Sequence, residues 1–160
     1  MRERQNITVN CNGHDIFALE SFVDSICDEY NVYNNFFGNI IMALVSVHDE
    51  CRERDGEDSK IEIEFFNNSR GLNFEINPCN KSMIKDSEEV LSNPDLLYED
   101  EKFNWLFLIN RLSDEFQIVD GKLNILFDIA SINQELASTR ANSLRAYFKG
   151  ETIKSNIQYH

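Results

Sequence analysis

The chain has 160 residues and a mass of 18.7 kDa; 42% of its residues are hydrophobic and 11% aromatic, with six glycines and two prolines. This length and composition fit one globular domain and exclude collagen, Pro/Gly-rich linkers and a disordered acidic tail. The 15 basic and 28 acidic side chains give a net charge of −13, which disfavours nucleic acid as a partner. Neither a membrane span nor a signal peptide is present in the sequence pattern, so we expect a cytoplasmic protein with no membrane association.

The four cysteines are scattered and form no Cys-x-x-Cys pair, which favours reduced thiols. Two pairs nevertheless have residue types that zinc prefers, namely Cys11 with His14 and His48 with Cys51. The second pair would share one face of a helix at spacing i, i+3. Because nothing in the sequence brings the two pairs together, we predict no metal site and keep zinc as the alternative.

Hydrophobic periodicity divides the first half of the chain into five elements. Apolar residues recur at steps of three and four where helices are predicted, and alternate with polar residues where strands are predicted. The middle of the second helix, Ile40–Val47, is apolar nearly all round and should be buried on most faces. The predicted elements are a strand over 7–11, helices over 14–30 and 33–54, and a hairpin of strands over 60–66 and 72–76.

The second half begins with a stretch that has no clean period and contains both prolines, Pro78 and Pro94. The later Asp120-Gly121 pair between alternating runs is a strong hairpin signal. A helix ahead of that hairpin is predicted to bury Trp105, Leu108, Ile109 and Leu112. The predicted elements are an irregular stretch over 77–101 with a short helix around 86–91, a helix over 102–112, strands over 116–119 and 123–129, and a C-terminal helix over 131–149.

This order predicts an α+β fold with two layers. A mainly antiparallel mixed sheet of about five strands would be covered on one face by three helices. The domain is predicted to span residues 1–129, and residues 130–160 to form a C-terminal helical extension.

The element order, with an irregular loop ahead of the third helix, resembles the Bergerat ATP-binding fold of the histidine-kinase-like (GHKL) ATPases. Within that superfamily it most resembles the small bacterial anti-sigma-factor serine kinases. The resemblance covers roughly residues 6–129 and is one of order and hydrophobicity; an unrelated α+β domain is the alternative. Four stretches carry it: 17–29 as the first helix, 37–45 as the lead-in to the N box, 106–116 as the last helix and 121–127 in the closing hairpin.

In this family a helical Glu-x-x-x-Asn supplies the catalytic base and a magnesium ligand. Aligned through Ala43–Val45, the two positions are Ser46 and Glu50 in this chain. A serine hydroxyl cannot replace a carboxylate base at neutral pH, although Glu50 could hold a hard cation. The N box is therefore degenerate.

The two glycine motifs of the family are also replaced. The Asp-x-Gly-x-Gly motif, which reads adenine, falls on Pro78, Asn80 and Ser82. Pro78 has no side-chain acceptor, and the other two residues add side chains where the loop needs none. The Gly-x-Gly motif that cradles phosphates falls on Phe103 and Trp105, whose rings would fill the phosphate space.

The resemblance thus implies a scaffold that has lost its ATP site: no catalytic residue, no cofactor and a regulatory role through protein binding. The family's partners imply a sigma factor or its antagonist as partner, and a homodimer as a common assembly. Two alternatives remain. One is a divergent ATP-binding serine kinase or ATPase that uses Glu50 with magnesium, and the other is a structural module that oligomerises through the C-terminal helix.

Overall fold

The computed structural model describes residues 4–32, 34–78 and 80–128, and all of these up to Phe127 belong to one compact unit. Its elements follow the predicted order. They are β1 (Gln5–Asn10), α1 (Ile16–Glu29), α2 (Asn34–Asp55), β2 (Lys60–Asn68), β3 (Gly71–Pro78), α3 (Lys81–Ser92), α4 (Leu96–Glu99), α5 (Asn104–Leu112), β4 (Glu115–Val119) and β5 (Lys122–Phe127). A short 3-10 turn, Glu101–Phe103, joins α4 to α5.

The five strands form one sheet in the order β1-β2-β3-β5-β4, and every neighbouring pair is antiparallel. Ile63 in β2 lies opposite Ile7 in β1 and Ile76 in β3, so apolar side chains of adjacent strands share one face. The helices cover this face, which gives the two-layer α+β sandwich that the sequence predicts. The hairpin of β4 and β5 turns at Asp120 and Gly121, both with positive φ.

Aromatic rings form a continuous series through the core. Successive ring centroids from Tyr30 to Phe65, Phe74 and Phe127 are 5.5, 5.3 and 5.9 Å apart. Three of the four residues lie on the covered face of adjacent strands, and Tyr30 directly follows α1. The series therefore connects α1 to the sheet, and these contacts add to the stability that burial alone provides.

The prediction of an irregular stretch over 77–101 is wrong over most of its length, although the short helix predicted around 86–91 lies within α3. The 12-residue helix α3 begins there after Asn80, whose side chain accepts a hydrogen bond from the backbone N–H of Ser82 at 2.8 Å. Buried Asp86 and Ser87 interrupt the apolar positions of α3, which hid its helical period from the sequence analysis. Asn93 and Pro94 separate α3 from α4.

The helix over 102–112 exists, but its first turn is the 3-10 turn and its buried side differs from the prediction. Trp105 and Ile109 are buried as predicted, whereas Leu108 is 44% exposed and Leu106 is buried in its place. Leu112 is only partly buried. The predicted C-terminal helix and the last residue of the predicted strand over 123–129 lie outside the described residues. Over the described ranges, no helix has both the length and the apolar character to cross a membrane.

Candidate functional site

Three polar side chains form a stripe along the C-terminal half of α2. Ser46, Glu50 and Arg54 follow at spacing i, i+4 and i+8, which places them on one side of the helix. The first two are the predicted positions of the family's base and metal ligand. Arg54 lies in the last turn, where a positive charge also suits the helix dipole.

Arg54 is the centre of this stripe's contacts with α3. Its Nε donates to Glu50 Oε2 at 2.7 Å, one Nη donates to Ser82 Oγ at 2.7 Å, and the other Nη donates to Asp86 Oδ2 at 2.5 Å. The guanidinium thus makes one hydrogen bond within α2 and two to α3, which begins 26 residues after the last residue of α2. We call Ser46, Glu50, Arg54, Ser82, Asp86 and Trp105 the Arg54 cluster.

The ion pairs of the Arg54 cluster are largely shielded from water. The side chains of Arg54 and Asp86 are 19% and 12% exposed. Burial acts to lower the pKa of Arg54, but the hydrogen bonds and negative charges of Asp86 and Glu50 outweigh it and raise the pKa above its usual value. The guanidinium therefore remains charged at neutral and alkaline pH.

Trp105, in the first turn of α5, connects this helix to the cluster. Ser46 Oγ donates to the backbone carbonyl of Trp105 at 3.0 Å, and Arg54 Cζ lies 5.8 Å from the centroid of the indole. The indole is 5% exposed, and its Nε1 is buried without a hydrogen-bond partner. Phe103 is 1% exposed, with Lys102 Nζ 4.8 Å from its ring centroid. Both aromatic residues are therefore packed in the interior.

The remaining predicted positions lie at the start of α3. Asn80 Oδ1 accepts hydrogen bonds from both the backbone N–H and the hydroxyl of Ser82, and its Nδ2 donates to Asp55 Oδ1 at 3.0 Å. Asn80 therefore joins the start of α3 to the end of α2. Pro78 is the last residue of β3, lies opposite Ile61 and is buried.

The structure thus brings most of the seven predicted positions into one network of contacts. Ser46 and Trp105 are bonded directly, while Glu50, Ser82 and Asn80 are linked through Arg54 and Ser82. Phe103 and Pro78 lie next to the network in the chain and pack with the core. Sequence reasoning missed Arg54 and Asp86, although two signals pointed to them. Arg54 follows Glu50 at i+4, and Asp86 interrupts the apolar side of α3.

The hydroxyl and carboxylate groups of the cluster have partners among the described residues, whereas Trp105 Nε1 has none. The Ser46 hydroxyl donates to a backbone carbonyl, and the Glu50 carboxylate accepts from a guanidinium, whose positive charge opposes a cation at the same oxygen. No group of three or more His, Cys, Asp or Glu side chains that could hold a metal ion occurs in the described part of the chain.

The contacts of His48 also argue against the zinc alternative. Its Nε2 lies 3.2 Å from the carbonyl oxygens of both Asn10 and Asn12, and its Nδ1 lies 3.0 Å from Asp49 Oδ1. Both ring nitrogens therefore have oxygen partners. Cys51 Sγ lies 3.7 Å from Ser59 Oγ, and His14 is exposed. The four proposed ligands are thus not assembled as a metal centre.

Comparison with known proteins assigns no family to the chain. No protein-family model matches it, and no curated protein matches it at a significant level. The function therefore has to be inferred from the geometry of the site and from the resemblance.

Proposed function

We propose that this chain is a non-catalytic regulatory protein that acts by binding another protein. It would use a Bergerat-like scaffold whose nucleotide site is filled by the protein's own side chains. The resemblance points to a sigma factor or its antagonist as the partner, to a homodimer as the assembly and to the cytoplasm as the compartment.

The observation that carries the proposal is the Arg54 cluster. If the N box of the family corresponds to Ser46 and Glu50, both positions are engaged with other groups of this chain, at 3.0 and 2.7 Å. A nucleotide would have to displace a buried ion pair and two packed aromatic rings, Phe103 and Trp105. Breaking a buried ion pair costs several kcal/mol, about as much as moderate ligand binding supplies.

The element order supports the scaffold part of the proposal. Two helices precede the first hairpin, and α5 precedes the second, as in the resemblance described above, whereas α3 and α4 occupy the stretch where the resemblance has an irregular loop. The net charge of −13 supports a protein partner rather than a nucleic acid.

The test is thermal unfolding of the full chain with and without millimolar Mg·ATP or Mg·ADP. A ligand at 100 times its Kd would add about 2.7 kcal/mol to the free energy of unfolding and raise Tm by several degrees. We expect no shift for either nucleotide. A shift of several degrees that Glu50→Ala abolishes would contradict the proposal and favour the divergent kinase or ATPase.

A matched control separates binding at the cluster from nonspecific effects of the nucleotide. Glu53 lies on the same helix one turn past Asp49 and is exposed, so Glu53→Ala changes the same charge away from the cluster. A shift that both Glu50→Ala and Glu53→Ala leave unchanged would place nucleotide binding elsewhere on the chain. That result would also contradict the proposal that the protein has lost nucleotide binding.

A further inference from the structure

An exposed aromatic group lies on α4 and α5, on a different side of α5 from Trp105. Tyr98 is 71% exposed and its ring meets the ring of Phe107 edge-on, with centroids 5.6 Å apart and planes at 85°. Arg111 Cζ lies 5.9 Å from the centroid of Phe107, and Leu108 beside it is 44% exposed. We call Tyr98, Phe107, Leu108 and Arg111 the aromatic patch.

The composition of the aromatic patch is that of a binding surface. Tyrosine and arginine are enriched among the residues that contribute most to protein–protein affinity, and contiguous exposed apolar groups mark interaction sites. The ring–ring and ring–guanidinium contacts favour the orientation that these side chains have without a partner. Less rotamer freedom is then lost on binding, which favours affinity.

The charge around the aromatic patch specifies the chemistry of the partner. Four acidic residues, all exposed, lie on or beside α4: Asp95, Glu99, Asp100 and Glu101. They form an acidic rim next to Tyr98 on a chain whose net charge is already −13. Rim charges of one sign attract a partner of the other sign and repel a second copy of the same chain.

We propose that the aromatic patch is the docking surface for a basic segment of a partner protein. That segment would present an aliphatic or aromatic side chain to Tyr98, Phe107 and Leu108, with lysines or arginines facing the acidic rim. Arg111 would donate hydrogen bonds to backbone carbonyls or to a carboxylate of the segment. This inference rests on the proposed protein-binding function and names the surface and the partner chemistry for it.

The experiment is selection of peptides from a random display library on the immobilised full chain. The affinity of a selected peptide is then measured by fluorescence anisotropy. Two double variants and one single variant are compared with the parent. They are Tyr98→Ser/Leu108→Ser in the patch, Glu99→Lys/Glu101→Lys in the rim, and Phe17→Ser as the control. Phe17 is 70% exposed on α1, so its replacement removes an equally exposed aromatic ring from another element.

We expect selected peptides to combine Lys or Arg with an aromatic or aliphatic residue. Their affinity should fall about tenfold or more in the patch variant, as for loss of a binding hot spot, and stay unchanged in Phe17→Ser. The rim variant should bind about tenfold more weakly at low salt and lose most of the salt dependence. The patch and control residues are exposed, so thermal unfolding should show parent-like Tm values for both variants.

Four results would overturn the inference. Two concern the selection, namely that no peptide is enriched above background or that the enriched peptides lack basic residues. Two concern the variants, namely that the peptides bind the patch variant as tightly as the parent or that they no longer bind Phe17→Ser. A dimer in sedimentation that only the patch variant dissociates would also overturn it, because a second copy would then occupy the surface. These outcomes are independent of the nucleotide melt. A chain that binds Mg·ATP and still selects patch-dependent basic peptides would contradict the proposed loss of nucleotide binding and leave the docking surface standing.

Discussion

The Arg54 cluster and the aromatic patch both combine an arginine with aromatic rings, but they differ in how far these side chains are exposed to solvent. In the cluster, Trp105 is buried, Arg54 is partly buried, and the guanidinium is paired with two carboxylates. In the patch, Arg111 and Tyr98 are exposed to solvent beside Phe107. Both groups include residues of α5, separated by less than two turns.

The difference shows which region of the molecule is available to a ligand. The groups of the cluster that could perform chemistry, a hydroxyl and carboxylates, are already bonded within the chain. A ligand would first have to break those bonds. The groups of the patch make contacts that fix their orientation but leave their apolar surface in water. Burying that surface against a partner would release free energy in proportion to its area. We therefore expect a partner to bind at the patch rather than at the cluster.

The largest expected effect is the loss of stability when the cluster loses its cation. Arg54→Met keeps most of the side-chain stem but leaves Asp86, whose side chain is 12% exposed, without its guanidinium partner. We expect a loss of about 2–4 kcal/mol in the free energy of unfolding, measured by urea denaturation, slightly below the range for fully buried pairs.

Arg52→Met is the matched control, because it lies on the same helix and its contact with Asp49 is longer, at 3.7 Å, and more exposed. It should cost less than about 1 kcal/mol. The double variant Arg54→Met/Asp86→Leu should lie closer to the parent than Arg54→Met does, since no buried charge is then left alone with the cluster. Equal losses for Arg54→Met and Arg52→Met would show that the cluster is no more than a surface ion pair.

At alkaline pH, the stability that α1 contributes through Cys27 should depend on pH, whereas the stability that the Arg54 cluster contributes should not. Burial, with a smaller contribution from the charge of Asp24, raises the pKa of Cys27 from 9.0 to about 11. The folded state therefore favours the protonated thiol, and this stabilisation is complete below pH 9 and disappears as the pH rises through 11. Arg54, whose pKa is also raised, stays charged over the same range.

We therefore expect the parent to lose stability relative to Cys27→Ala between pH 9 and 11, as measured by urea denaturation at each pH. The difference between the parent and Arg54→Met should remain constant over that interval. The opposite result would contradict the assignment of this alkaline loss of stability to Cys27. In that result, the stability difference between the parent and Arg54→Met changes with pH, and the difference between the parent and Cys27→Ala stays constant.

Periodicity and turn chemistry predicted most of the fold. The apolar spacing of α1 and α2, the alternation in β2 and β3 and the Asp120-Gly121 turn are local signals, each contained within one element. Helix α3 was predicted only as a short helix around 86–91, because buried Asp86 and Ser87 lie on its core side, where a helical pattern has apolar residues. In α5 the buried residues are Trp105, Leu106 and Ile109, so the buried side of the helix is rotated by part of a turn from the predicted one.

The candidate site was predictable only in part. The resemblance placed Ser46, Glu50, Asn80, Ser82 and Trp105 in one site, and the structure joins them through hydrogen bonds and through the contact of Arg54 with the Trp105 ring. The centre of the site was not predictable, because the partners of Arg54 on α3 are 28 and 32 residues away in the chain. No local sequence pattern predicts contacts between residues so far apart in the chain. Membership of the GHKL superfamily remains a prediction.

A hydroxyl deletion tests how much the bond between α2 and α5 contributes. Ser46→Ala removes the donor to the carbonyl of Trp105, and we expect a loss of about 1 kcal/mol. Ser25→Ala, at an exposed position of α1, makes the same chemical change without such a bond and should be neutral or slightly stabilising through helix propensity. The difference between the two variants in urea denaturation isolates the bond. Identical values would mean that water replaces it without loss.

The smallest effect on stability is expected at the aromatic patch, which makes it the sharpest contrast with the cluster. Tyr98→Ser/Leu108→Ser removes side chains that are 71% and 44% exposed, so little buried apolar surface is lost. We expect a change of less than about 1 kcal/mol in urea denaturation, most of it from the ring contact with Phe107. A loss as large as that of Arg54→Met would mean that these side chains hold α4 against α5. Their exposure would then be a consequence of helix packing, and the patch would no longer be the region that the fold leaves free for a partner.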